Sequence, residues 1–109
     1  MILGSVNSSV EATLQLMVLG VGGRKCELTG VIDTGFSGDL TLPMEVVQSL
    51  DLEWVCRDVG VMADGREEFI DVFAGTILWD GKPCEVEVSV TETMPLIGMG
   101  LLLGHVVKI

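Results

Sequence analysis

The 109-residue chain has no tyrosine and a single histidine, His105. It carries 6 lysines and arginines against 16 aspartates and glutamates. Its three cysteines, Cys26, Cys56 and Cys84, form no C-x-x-C pair. Each shortage excludes a class of chemistry. Phosphate backbones need clustered Lys and Arg, so a formal net charge of −10 argues against nucleic acid as a partner. One histidine and scattered cysteines do not make a metal site, and neither a metal nor a cofactor is expected. The cysteines read as reduced, partly buried thiols, and His105 as a surface or packing residue rather than a base. The longest apolar run, residues 96–104, is far short of the roughly 20 residues that span a bilayer. The N-terminal MILGSVNSSV lacks the basic flank and apolar stretch of a leader peptide. No membrane partner is expected, and a cytoplasmic location is.

What the chain does have is apolar surface. Hydrophobic residues make up 49% of it and the mean hydropathy is +0.58. A chain this short buries only a modest core, so the excess implies a face covered by a second copy. A homodimer would carry twice the negative charge, a field that favours neutral or basic substrates.

No linker or repeat divides the sequence, so one domain over 1–109 is expected, with residues 1–10 as a loose arm. Residues 11–19 alternate around Ala12, Leu14, Leu16 and Val18, the period of a strand. GVGGRK supplies a turn, and residues 26–32 return as a second strand. Residues 40–42 are extended. Pro43 suits the first position of a short helix with Met44, Val47 and Leu50 on one side. Residues 55–62, 68–79 and 83–91 read as strands joined at Ala63-Asp64-Gly65-Arg66 and Asp80-Gly81, where Asp-Gly tolerates positive φ. Part of 94–104 forms a short helix, and 106–109 a last strand. Short strands with glycine-bearing turns predict an all-β sandwich or barrel.

The stretch GVIDTGFSGDLTLP, residues 30–43, carries the chemistry. An apolar run leads to Asp33, and glycines at 35 and 38 allow sharp turns after it. Asp-Thr-Gly can serve as a turn and nothing more. The same loop can also aim backbone N–H groups at a carboxylate. One carboxylate without histidine or metal is a weak catalyst, whereas two facing carboxyls share a proton and act together as base and acid. The chain holds one such loop, so the second must come from another copy across a twofold axis.

Val31-Ile32-Asp33-Thr34-Gly35 resembles the catalytic signature of the aspartic proteases, and a chain of this length with one signature resembles the retropepsins, their homodimeric, retroviral-type branch. Val61 to Arg66 falls where that family carries a flap hairpin. Leu96-Ile97-Gly98, followed by Met99-Gly100-Leu101-Leu102, has the form of its second signature. The resemblance runs from Thr13 to Gly104. It implies a small closed β-barrel with one or two short helices, working as a homodimer. Asp33 would be the catalytic acid and Thr34 would bond across the dimer axis. Gly35 would admit the substrate backbone. Ala63, Asp64 and Gly65 would form the flap, and Leu40 and Leu96 would line side-chain pockets or pack in the core. Met99, Leu101, Leu102 and Leu103 are expected to pack the last helix.

Three departures stand out. Phe36 occupies a position usually held by Ala or Ser, where a ring would narrow the cleft. Gly100 replaces a common Asp or Asn, removing a supporting hydrogen bond. The missing tyrosine leaves the flap tyrosine of pepsin-like enzymes without a counterpart. The expected function is an aspartic endopeptidase acting on extended peptide segments. Two alternatives stay open: a catalytically weak or inactive dimerisation or peptide-binding module, and an unrelated barrel in which Asp-Thr-Gly is only a turn.

Overall fold

The computed structural model describes residues 2–61 and 63–109. Among them ten strands and two short helices follow one another. They are β1 (Ile2–Leu3), β2 (Ser5–Val6), β3 (Ala12–Leu19), β4 (Lys25–Ile32), β5 (Leu40–Leu42), α1 (Met44–Ser49), β6 (Glu53–Val61), β7 (Glu67–Trp79), β8 (Lys82–Val90), β9 (Leu96–Ile97), α2 (Met99–Leu102) and β10 (Val107–Lys108). The all-β class with two short helices agrees with the sequence expectation. The strand end expected at Met62 lies outside the described residues.

Alternation explains the long strands. In β3 the side chains of Leu14, Leu16 and Val18 are buried while Gln15 is exposed, and in β8 Val86 and Val88 go inward. A turn of 3-10 helix at Val21–Gly23 connects β3 to β4, which pair antiparallel from Thr13↔Val31 to Leu19↔Lys25. Pro43 sits one residue earlier than expected. It is extended, just before α1, and its carbonyl accepts the N–H groups of Val46 and Val47.

The hydrogen-bonded order of the large sheet is β2-β3-β4-β9-β5-β8-β7-β6. A second ladder joins β7 back to β3 through Met17↔Leu78, Val18↔Ile77 and Leu19↔Thr76, so the run from β3 to β7 returns on itself. Inside it lie Leu14, Leu16, Val18, Leu40, Leu42, Ile77, Val88 and Ile97, with Val47 and Leu50 of the α1 region packed in the same core. Burying a side chain of this size is worth about 1.5–3 kcal/mol. β6 lies at one edge of the order, and eight of its nine residues are exposed.

Residues 1–10 were expected as a loose arm, and residues 2–6 are instead tied down. β1 pairs parallel with β10, Ile2↔Val107 and Leu3↔Lys108, and β2 pairs with β3. The reason is burial: Ile2 is 8% exposed and belongs to the core cluster. The Asn7 side chain then turns the chain into β3, its Oδ1 accepting the N–H groups of Ser9 and Glu11.

The three cysteines are free. Cys26 and Cys84 are half-buried against the core, but Cys56 is exposed, because it lies on the edge strand β6. His105 is exposed and meets Trp79 edge to face, ring centroids 5.6 Å apart. Among the described residues no helix is long and apolar enough to cross a membrane.

Candidate active site

β4 delivers Asp33. Its last two residues pair parallel with β9, Val31↔Leu96 and Ile32↔Ile97. The Asp33 N–H continues that ladder by donating to the Ile97 carbonyl at 3.0 Å. The two apolar motifs recognised in the sequence are therefore neighbouring strands, and one orients the other. Beyond Asp33 the chain turns, and Phe36 N–H closes the turn on the Asp33 carbonyl at 3.1 Å. The Asp33 side chain is aimed by its own loop: Oδ1 accepts the Gly35 N–H at 2.9 Å. Oδ2 accepts no hydrogen bond among the described residues. The residue is half-buried, with Thr34 and Gly35 exposed beside it. The Thr34 hydroxyl makes no hydrogen bond among the described residues.

The rest of the loop is laced to the start of α2. Met99 N–H donates to the Phe36 carbonyl at 2.7 Å, Gly100 N–H to Gly38 at 3.1 Å and Gly98 N–H to Asp39 at 2.9 Å. Such close approach leaves no room for side chains. A Cβ on Gly98 would overlap the Gly38 carbonyl, and one on Gly100 would lie 2.7 Å from the Ser37 oxygen. Gly100 supplies no side-chain hydrogen bond to the loop, but it has a packing role. Its missing side chain lets backbone meet backbone, and its amide supplies a bond. Phe36 fits the same arrangement. Its half-buried ring lies over Gly38 and Gly98, at the positions where Cβ atoms on either glycine would stand.

Leu40 and Leu96 part company. Leu40 is fully buried between the strands of Val88 and Ile97 and packs in the core, one of the two roles the sequence left open. Leu96 is half-buried and keeps some exposed surface. Its N–H donates to Thr41 Oγ1 at 2.8 Å. Thr41 and Asp39 are supporting residues that sequence reasoning missed. The signals were a polar residue inside Leu-Thr-Leu and a second acid six positions after Asp33.

Ala63, Asp64 and Gly65 form the exposed turn between β6 and β7, with Gly65 at φ +85°. Asp64 shapes the turn by accepting the Arg66 N–H at 3.0 Å and pairing with its guanidinium. Lower on this hairpin the Asp71 carboxyl accepts the Trp54 indole N–H and the Arg57 guanidinium, each at 3.2 Å. These two donors, the indole first, hold the Asp71 carboxyl below its ordinary value. Arg57 also lies over the Phe69 ring, 5.8 Å from its centroid.

A groove of about 700 Å³ lies beside the loop, lined by Asp39, Leu52, Val55, Phe73, Glu85 and Glu87 among others, and Asp33 is not part of its wall. Among the described residues no group of three or more His, Cys, Asp or Glu side chains is placed to hold a metal ion.

No protein-family model matches the chain, and no curated protein is significantly similar to it. Solved structures do match. EIAV protease complexed with the inhibitor HBY-793 superposes with a TM-score of 0.60 over 96% of this chain and 99% of that chain, at 17% identity. An end-to-end match of that kind is a statement about architecture, and the architecture of this chain is the retropepsin fold.

Proposed function

We propose that the chain is one protomer of a homodimeric aspartic endopeptidase. The observation that carries the reading is the placement of Asp33. It follows strand β4 in a retropepsin fold, its carboxylate is oriented by the Gly35 amide, and its second oxygen accepts no hydrogen bond among the described residues. A twofold axis beside this loop would bring two Asp33 carboxyls together to hold one proton between them. The deprotonated carboxyl takes a proton from water as the water oxygen attacks the peptide carbonyl carbon. The protonated one gives its proton to the carbonyl oxygen. Collapse of the gem-diol then breaks the C–N bond, and a proton passes to the departing amine. No covalent enzyme intermediate forms.

Other residues take roles around that centre. Thr34, exposed, would bond across the axis, and Gly35 would meet the substrate backbone. The turn at Ala63, Asp64 and Gly65 would close as a flap, and Leu96 would offer apolar surface to a substrate side chain. An extended peptide suits such a cleft because strand-like hydrogen bonds need no particular sequence. The formal charge of −10 per protomer favours neutral or basic segments. A non-catalytic dimerisation or peptide-binding module would share this fold and the packing of Phe36 and Gly100, and cleavage separates the two readings.

The test is cleavage of extended peptides from about pH 3 to pH 8 by wild type and Asp33→Asn, with a hydroxyl-bearing transition-state analogue as inhibitor. Cleavage by wild type alone, blocked by the analogue, is the expected result. Equal cleavage by both proteins, or none by either, removes the proposal.

A further inference from the structure

We infer that Asp39 is a positioning residue for Asp33: its carboxylate, together with the Ser37 and Gly38 carbonyls, occupies the space a side chain at position 100 would take, and it ties the loop to β8. Three contacts converge on this one residue. Its Oδ2 accepts the Glu87 N–H at 3.0 Å. Its carbonyl accepts the Gly98 N–H at 2.9 Å. Its Oδ1 stands 2.9 Å from the point that a Cβ on Gly100 would occupy.

The topology explains why a carboxylate is needed. β5 and β8 pair parallel from Leu40↔Val88 onward, and Asp39 immediately precedes β5. Glu87 therefore presents its N–H beyond the end of the ladder, and the Asp39 side chain caps it. The same residue, through its main chain, meets Gly98 at the end of β9, whose neighbour Ile97 holds the Asp33 N–H. Asp39 thus sets the exit of the loop against two elements, one of which sets the loop's entrance. An empty position 100 and a carboxylate at position 39 are two halves of one arrangement. Small displacements of a reacting group cost large factors in rate, so the tie should be felt at Asp33. That catalytic consequence rests on the protease reading; the tie itself does not.

The experiment compares wild type, Asp39→Ala and Asp39→Asn in the full chain by NMR-resolved amide hydrogen exchange and by peptide cleavage. Asp39→Ala is expected to speed exchange at Glu87, Gly98 and Gly100 by about tenfold or more, the loss of a charge-assisted hydrogen bond. Val18 and Ile77 should stay as protected as in wild type. Asp39→Asn, which keeps an oxygen for Glu87, should return the three amides toward wild type. In cleavage, Asp39→Ala should lower kcat by about tenfold or more with KM within about twofold, and Asp39→Asn should recover most of it. Should Asp39→Ala fail to fold, Asp39→Ser is read in the same way. Unchanged exchange at Glu87, Gly98 and Gly100 overturns the inference. So does protection lost evenly across the sheet, or a kcat that ignores the local opening. If wild type cleaves no peptide while the local exchange pattern holds, the protease reading falls and Asp39 stands as the tie of the loop.

Discussion

The Cα of Gly98 faces the carbonyl of Gly38 so closely that no Cβ fits between them. One glycine belongs to the Asp33 loop and the other to the start of α2, 60 residues later in the chain. Gly98→Ala should therefore separate the two segments. We expect a loss of about 1–3 kcal/mol in thermal or urea denaturation, and a larger proportional loss of peptide cleavage. Retention of both at wild-type level would mean that the loop adapts without consequence.

Leu40 and Leu96 should respond differently to truncation. Leu40 is fully buried, so Leu40→Ala should cost about 2–5 kcal/mol. The protein that remains folded should keep its preference among peptide substrates. Leu96→Ala removes a half-buried side chain and should shift that preference more than it lowers stability. A cleavage profile over a peptide library, beside denaturation curves for both variants, separates the two roles.

Asp71 gives the hairpin an acid-sensitive joint. Its folded-state pKa is depressed, first by the Trp54 indole and then by Arg57. The contribution to stability is therefore present above the ordinary carboxylate value of about 3.9 and is lost as pH falls through the lower folded value. Trp54 fluorescence should change on acidification across that window in wild type and stay flat in Asp71→Asn. The change should shrink in high salt, since the group is open to solvent. An identical acid response in both proteins would assign the transition to other carboxyls.

Self-association makes a prediction about mixtures. If each active unit needs two Asp33 carboxyls, an equal mixture of wild type and Asp33→Asn, allowed to exchange protomers, leaves about a quarter of the pairs fully wild type. Activity per total protein should fall to about a quarter of that of the unmixed wild-type protein, which is about half per wild-type chain, and specific activity of wild type alone should fall on dilution. Activity strictly proportional to the wild-type content, at all concentrations, would indicate a working monomer.

Much of this architecture was legible in short windows of the chain. Period-two alternation marked β3, because a strand with one buried face must place apolar residues at every second position, and the flanking turns marked out β7 and β8. Asp-Gly and the glycine-rich run marked turns, because few other residues accept their backbone angles. Asp33 stood out because an acid closing an apolar strand is costly unless it is used. The misreadings came where the deciding partner was distant. Residues 2–6 read as a polar arm because β1 is stabilised by β10 from the other end of the chain. Leu40 read equally as pocket or core because nothing near it shows that it lies between the strands of Val88 and Ile97. Cys56 read as partly buried because the edge position of β6 is a property of the whole sheet.

The sequence by itself determined the long strands and their turns and singled out Asp33, since these depend on side-chain period and local backbone freedom. Only the tertiary structure decided how Asp33 is held. The Ile97 ladder, the Gly98–Gly38 contact and the Asp39 bond to Glu87 join segments about fifty to sixty residues apart. Contacts of that span form only when the sheet returns on itself, because their closure entropy is offset by the burial of the whole core.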